Sequence, residues 1–217
     1  ELKLPKPRHN LKIGSSSHGA QTGAMLEKIE KILMKEKPSV VIVIGDTNSV
    51  LAGALAASKL HIKVGHIESG LRSYDRDMAE EQNRIVTDHI SDFLFAPTKL
   101  SADILSKEGI SKDKIFIVGN PIVDAVYQNI EIANRSLNIM KKLNLENGKY
   151  IIVTAHRPEN VDNNIRLSKI FLGLNKLNQK IKLPIIFPIH PRTKKRLEEF
   201  KIELGDGIKI IDPIGYL

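Results

Sequence analysis

The chain has 217 residues, enough for one large domain or two small ones with buried cores, and 41% hydrophobic with 27% charged residues is globular composition rather than that of a disordered chain. The formal net charge of +8 admits a nucleic acid, an anionic surface or an anionic small molecule, but lysines spread over helical faces and only 5% aromatic residues argue against nucleic acid and favour a phosphorylated metabolite over it. With no cysteine there is no disulfide, thiolate nucleophile or Cys-based zinc site; no apolar run reaches membrane-span length, and the polar start ELKLPKPRHN has no signal-peptide core, so the expected compartment is the cytoplasm.

Read in order, the elements alternate. GAMLEKIEKILMKEK places Met25, Leu26, Ile29, Ile32 and Leu33 at helical spacing and is stopped by Pro38. SVVIVIG, short and β-branched, predicts a strand buried on both faces. A helix from about Asn48 to Leu60, a strand IKVGHI, a helix around Glu80 to Ile90, a strand DFLFA and a helix from Thr98 follow. KIFIVG is another strand, and GNPIVDA opens a polar, weakly amphipathic stretch through Lys142. The cycle restarts with strand YIIVTA, a helix from about Asp162 to Leu177, strand PIIFPI, a helix in HPRTKKRLEEF and strand IKIID.

Such alternation predicts an α/β protein with parallel sheets. Gly119, Asn120 and Pro121 interrupt it, which sets the expected domains at 1–121 and 122–217. Ligands in this architecture sit beyond the carboxyl ends of the strands. The polar residues collect there.

GDTNS follows the first strand, and Asp46 stands where a ligand could approach or where Asp46, Thr47 or Asn48 caps the next helix. Glu68 follows KVGHI; a carboxylate at that strand end is costly unless partnered, and Arg72 is the simplest partner. Wound as a helix, EEQNRIVTDHIS carries Glu80, Arg84, Thr87, Asp88 and Ser91 on one face, with Ile85, Val86, His89 and Ile90 on the other. A solvated face held by the Glu80–Arg84 pair is the plain reading. His156 and Arg157 end YIIVTA, and His190 and Arg192 end PIIFPI, either as ordinary loop residues or as a proton donor or contacts to a pyrophosphate leaving group. Lys194, Lys195 and Arg196 read as a solvated helix face.

Several chemistries have no anchor. There is no G-x-G-x-x-G after a strand, no Walker loop, no Tyr/Lys pair at i, i+4, no G-x-S-x-G elbow and no paired histidine spacing for a metal.

The blocks GDTNSVLAGALAASKL, GHIESGLRS, AEEQNRIVTDHISDFLFAPT, IFIVGNPIVDA, TAHRPEN and PIHPRTKKRL, in this order, resemble the non-hydrolysing UDP-N-acetylglucosamine 2-epimerases. The resemblance covers the chain from about residue 11 onward. It implies two Rossmann-like domains of glycosyltransferase-B type, both incomplete here, a homodimer, and interconversion of UDP-GlcNAc and UDP-ManNAc with no cofactor. It implies catalytic roles for Asp46, Glu68, Glu80 and His156, and contacts to a nucleotide sugar for Arg84, Arg157 and His190. The expected partner is a UDP-sugar, with no nucleic acid and no membrane.

The chain departs from the family pattern at Glu68-Ser69-Gly70 for E-A-G, Ala79-Glu80-Glu81 for P-E-E, and Gly119-Asn120-Pro121 for G-N-T. The opening strand with its G-T-R-P-E loop and the later D-S-G-G-x-x-E-E block are not in this sequence, so part of the nucleotide site is expected to be missing and the chain alone is expected to be inactive. A 2-epimerase for a modified UDP-sugar, a hydrolysing epimerase, a glycosyltransferase and a non-catalytic nucleotide-sugar-binding fragment are the competing readings.

Overall fold

The computed structural model describes residues 5–136 and 139–214. Its contacts divide the chain into two compact units, Pro5–Val126 and Tyr127 onward. The division falls inside a helix.

In the first unit, strands β1 (Val40–Ile44), β2 (Lys63–Ile67), β3 (Phe93–Ala96) and β4 (Ile115–Ile117) form one sheet in the order β1-β2-β3-β4. All three pairings are parallel. Helices α1 (His18–Glu36), α2 (Asn48–Lys59), α3 (Ala79–Ile90) and α4 (Lys99–Lys107) accompany it. Strands in sequential order joined by right-handed crossovers place α2, α3 and α4 on one face of the sheet. Val43, Val64 and the alanines Ala54, Ala56 and Ala57 close the core on that face, and Leu94, Ala96, Ala102 and Leu105 extend it. Gly65 is buried under Ile42 and Phe95, and Gly70 against Ser101 and Leu105 of α4.

The opposite face differs from the expectation of a doubly buried strand. Val40, Ile42 and Ile44 alternate outward and are exposed, as are Phe93 and Phe116. Phe116 stacks at 5.9 Å from Phe95 and 6.5 Å from Phe93, so the aromatic rings cover one another. The β-branched run was a sound strand signal, but whether a second layer covers it is a tertiary property that the run does not encode.

The stretch after GNP, which the sequence marks only as polar and weakly amphipathic, is a regular helix, α5 (Pro121–Ser136). Pro121 sits in its first turn, where its missing N–H costs nothing, and Asn120 Oδ1 accepts from the Ile122 amide at 3.0 Å. A short helix α6 (Ile139–Lys142) follows.

The second unit holds strands β5 (Ile151–Ile152), β6 (Ile185–Pro188) and β7 (Ile208–Ile211), again parallel and in sequence order. Helices α7 (Pro158–Val161), α8 (Asn164–Ile181) and α9 (Pro191–Phe200) join them. Val161, Leu167, Phe171, Ile185, Phe187, Ile189 and Leu197 are buried together, with the Phe171 and Phe187 rings 5.6 Å apart. Asn163 caps α8 by accepting from the Arg166 amide at 3.0 Å. Among the described residues no helix is long and apolar enough to cross a membrane.

Candidate functional site

Of the predicted carboxylates of the first unit, Asp46 and Glu68 follow strands β1 and β2, and Glu80 stands in the first turn of α3. Asp46 follows β1 through Gly45, whose φ of +83° takes the chain sharply out of the strand. Thr47 is the N-cap of α2 but makes no side-chain capping bond. Asp46 is no cap either; its carboxylate pairs with Arg84 Nε at 3.3 Å. The buried Asn83 amide donates to the Asp46 carbonyl at 2.9 Å and to Asn48 Oδ1 at 3.2 Å. Successive residues of α3 therefore grip Asp46 by backbone and by side chain.

Glu68, the residue after β2, has φ of +72°. This left-handed conformation costs a non-glycine residue roughly 1–2 kcal/mol and persists only where its surroundings impose it. Its half-buried carboxylate has no hydrogen-bond or ion-pair partner among the described residues, and Oε2 lies 3.7 Å from the Cβ position of Gly45. The expected pair with Arg72 does not form. Arg72 instead bonds Asp88 Oδ2 at 2.7 Å and Glu108 Oε2 at 2.6 Å. Burial alone would pull the Arg72 guanidinium down, and its bonds to Glu108 and Asp88 outweigh this and hold it up.

The polar face of α3 is largely inside rather than solvated. Glu81, Asn83, Thr87 and Asp88 are buried, whereas Val86 and His89 are exposed. The segment after Glu68 folds back over this face and supplies donors to it. The amides of Ser73 and Tyr74 donate to the two oxygens of Glu81 at 2.9 Å each, and Arg84 Nη1 stands 3.3 Å from Oε2. Glu80, one residue earlier, is exposed and its carboxylate has no partner among the described residues; its carbonyl accepts from Arg84 Nε at 3.3 Å. Adjacent glutamates thus take opposite tasks. Glu81 fixes the loop and Glu80 faces out.

Burial pushes the Glu81 carboxyl up, but the Ser73 and Tyr74 amides, the Ser73 hydroxyl and Arg84 outweigh it and hold it below the ordinary glutamate range. A carboxyl depressed in the folded state contributes stability above its unfolded pKa and loses that contribution as pH falls through the folded value. Glu81→Gln is therefore expected to be less stable than the parent by about 1–3 kcal/mol at neutral pH, with the gap narrowing below the carboxylate range. Urea midpoints at pH 7 and pH 3 check this; a gap that does not change with pH would contradict it.

Ser69, next to Glu68, is fully buried and its hydroxyl has no partner among the described residues. Unpaired burial of a hydroxyl is costly, and this is the position at which the resembled family has alanine. Ser69→Ala is expected to stabilise the protein by about 1 kcal/mol, seen as a rise in melting temperature of a few degrees; a lower melting temperature would show that the hydroxyl is satisfied.

The second unit brings its two predicted histidines together. His156 follows β5 and His190 follows β6, and their ring centroids are 6.0 Å apart. His190 is the N-cap of α9, its Nδ1 accepting from the Arg192 amide at 3.2 Å, with Pro191 in the first turn. Nδ1 of His156 lies 3.4 Å from the Thr154 hydroxyl. Arg157 is exposed, 3.9 Å from Glu159. Arg192 and Arg196 are tied to Asp162, and their bonds hold the Asp162 carboxyl below its ordinary range. Arg196 is therefore part of a network rather than of a solvated face, while Lys194 and Lys195 are exposed as expected. Among the described residues no group of three or more His, Asp or Glu side chains is arranged to hold a metal ion.

The sequence reading did not single out His66, Glu81 or Asn83, and it placed Asp88 without a task. Nothing local marks them. Their partners are more than twenty residues away or lie on a loop whose path the periodicity does not show.

A family model described as UDP-N-acetylglucosamine 2-epimerase matches residues 1–217. A UDP-N-acetylglucosamine 2-epimerase of Methanococcus maripaludis is 59% identical over 100% of this chain and 61% of its own length. A UDP-2,3-diacetamido-2,3-dideoxy-D-glucuronate 2-epimerase of Pseudomonas aeruginosa is 43% identical over 100% of this chain and 60% of its own. The crystal structure of Methanocaldococcus jannaschii UDP-GlcNAc 2-epimerase in complex with UDP-GlcNAc and UDP superposes with a TM-score of 0.88 at 55% identity, covering 98% of this chain and 60% of that one. The structure from Neisseria meningitidis bound to UDP-GlcNAc gives 0.85 at 32% identity. These agreements bear out the α/β fold with Rossmann-like parallel sheets of glycosyltransferase-B type. Spanning about 61% of the length of the curated relatives it matches, the chain belongs to the UDP-N-acetylglucosamine 2-epimerase family.

Proposed function

We propose that these residues serve the interconversion of UDP-GlcNAc and UDP-ManNAc by elimination and re-addition of UDP at the sugar. The observation that carries the reading is Glu68, a carboxylate with no partner among the described residues, held in a left-handed backbone at a strand end beside Gly45. A structural carboxylate would be paired. A strained, free one suits proton transfer.

The hydrogen on C2 is not next to a carbonyl, so its direct removal is prohibitively hard. Breaking the anomeric C–O bond first sends the electron pair out with UDP and leaves an oxocarbenium-like sugar, which carboxylates stabilise. The C2 proton then passes to a carboxylate and a C1=C2 bond forms, giving a glycal. Delivery of a proton to the opposite face of C2 and return of UDP to C1 complete the inversion. Two faces require two acid/base groups, for which we assign Glu68 and Glu80. Asp46 orients the sugar or stabilises its charge, His156 and Arg84 balance charge on the departing UDP, His190 contacts the nucleotide sugar, and Arg157 contacts it or a second, regulatory UDP-GlcNAc.

The two compact units serve as an N-terminal Rossmann-like domain and a nucleotide-binding domain, and the working form is a cytoplasmic homodimer in this proposal. The 43% identity to a 2-epimerase for a diacetamido uronate supports a second reading in which the substrate is a modified UDP-sugar with the same C2 chemistry. Proton NMR of the protein with UDP-GlcNAc in deuterium oxide tests both. UDP-ManNAc with deuterium at C2 supports the proposal, and exchange only with an oxidised, diacetamido sugar supports the second reading. Turnover without deuterium at C2, or accumulation of free UDP and ManNAc, would sink the mechanism.

A further inference from the structure

His66 and Gly70 flank Glu68 symmetrically, two residues before it and two after, and both are bonded to one buried side chain. His66 Nδ1 and Asp88 Oδ1 are hydrogen-bonded at 2.7 Å, and the Gly70 amide donates to Asp88 Oδ2 at 3.1 Å. Arg72 adds a third bond to Oδ2 at 2.7 Å. The other ring nitrogen of His66 donates at 2.8 Å to the carbonyl oxygen of Gly45, the residue before Asp46. His66 and Asp88 are fully buried, and so is the Arg72 head that completes the cluster.

Five residues whose ends are pinned to the two oxygens of one carboxylate have little conformational freedom between them. With residues 66 and 70 fixed, Glu68 turns through its left-handed φ of +72°. We propose that Asp88 is the positioning residue of the site: it imposes the strained backbone of Glu68 and, through His66, sets the Gly45 carbonyl from which Asp46 projects. This deepens the assignment of Glu68 as an acid/base group and rests on it. Asp88 touches no reacting atom in this scheme. It acts by holding two carboxylate-bearing strand ends at a fixed separation, a task for which errors near 1 Å cost about 100-fold in rate.

The test compares Asp88→Ala and Asp88→Asn in the whole chain by two readouts. The first is the one-bond Cα–Hα coupling of Glu68, which reports the sign of φ; the second is the rate of deuterium entry at C2 of UDP-GlcNAc. Asparagine retains an oxygen for Gly70 and Arg72, and its amide N–H pairs with His66 Nδ1 when the ring carries its proton on Nε2, the nitrogen that donates to the Gly45 carbonyl. Asp88→Ala is expected to lose the positive φ and to lower kcat by about 100-fold with KM nearly unchanged, while Asp88→Asn keeps the positive φ and most of the rate. A positive φ retained in Asp88→Ala would overturn the proposal, as would a loss of thermal stability with kcat intact, or an Asp88→Asn variant no better than alanine.

If Asp88→Ala does not fold, Asp88→Ser takes its place, because its short side chain cannot span both partners. Failure of both to fold would also overturn the proposal, since a clip on one loop leaves the sheet assembled. Absence of C2 exchange both in the parent chain and in a protein with the two absent segments restored would count against the epimerase assignment, and the coupling at Glu68 would still decide the role of Asp88.

Discussion

Replacing Gly70 with alanine is expected to be the most damaging single-methyl change in the first unit. Gly70 has φ of +76°, and a Cβ there would strike the Ser101 carbonyl oxygen and lie 2.9 Å from Leu105 Cγ. The backbone strain is worth roughly 1–2 kcal/mol and forcing a methyl into packed backbone roughly 1–3 kcal/mol. Ser101 and Leu105 belong to α4, whose position is fixed by its packing on β3 and β4, so the neighbour cannot step aside cheaply. Nor can Gly70, whose amide is held by Asp88. The expected loss is about 2–5 kcal/mol, read as a lower urea midpoint with an unchanged slope. A loss under about 0.5 kcal/mol would mean that the β2–α3 loop is free to move, which the buried bonds to Asp88 argue against.

Glu68→Gln is expected to have the largest effect on turnover. Glutamine matches the size of glutamate and keeps the same backbone, but it can neither take nor return a proton at C2. Removing a general acid/base lowers kcat by roughly 100- to 10,000-fold, and KM should change little because no uniform binding contact is lost. Stability should also hold, since the Glu68 carboxylate has no partner to lose among the described residues. A variant that still exchanges deuterium at C2 at the parental rate would remove Glu68 from the mechanism and leave Glu80 and Asp46 as the remaining candidates. A variant that binds nucleotide sugar but neither exchanges nor epimerises fits the assignment.

The order of strands and helices was legible because each apolar run was short, β-branched and followed by helical spacing, a pattern that local chemistry sets directly. The placement of Asp46 and Glu68 after strands followed from the same reading, as did His156 and His190. What was not legible depends on chain segments that meet from a distance. The polar face of α3 looked solvated because Glu80, Arg84 and Asp88 recur at helical spacing; it is buried because residues 69–74 return over it and donate to Glu81 and Asp88. The left-handed backbone at Glu68 had no signal at all, since glutamate has no preference for that region and only the clip from Asp88 accounts for it. The sixteen-residue helix α5 was missed for a local reason: Pro121 was read as an interruption, when proline in the first turn starts a helix as readily as it stops one.

The sheet face that the described residues of this chain leave uncovered has a consequence for handling the chain in solution. Ile42, Ile44, Phe93 and Phe116 present apolar surface on a parallel sheet, a type of sheet ordinarily layered on both sides. Sticking through that face would be driven by expulsion of water, so sulfate should strengthen it and cooling should weaken it. A dimer held by charged groups would respond in the opposite sense to salt, loosening as the ionic strength rises. Sedimentation in low-salt buffer and again in sulfate therefore separates an assembly built for function from an adhesive one, and a species that grows with sulfate and shrinks in the cold belongs to the sheet.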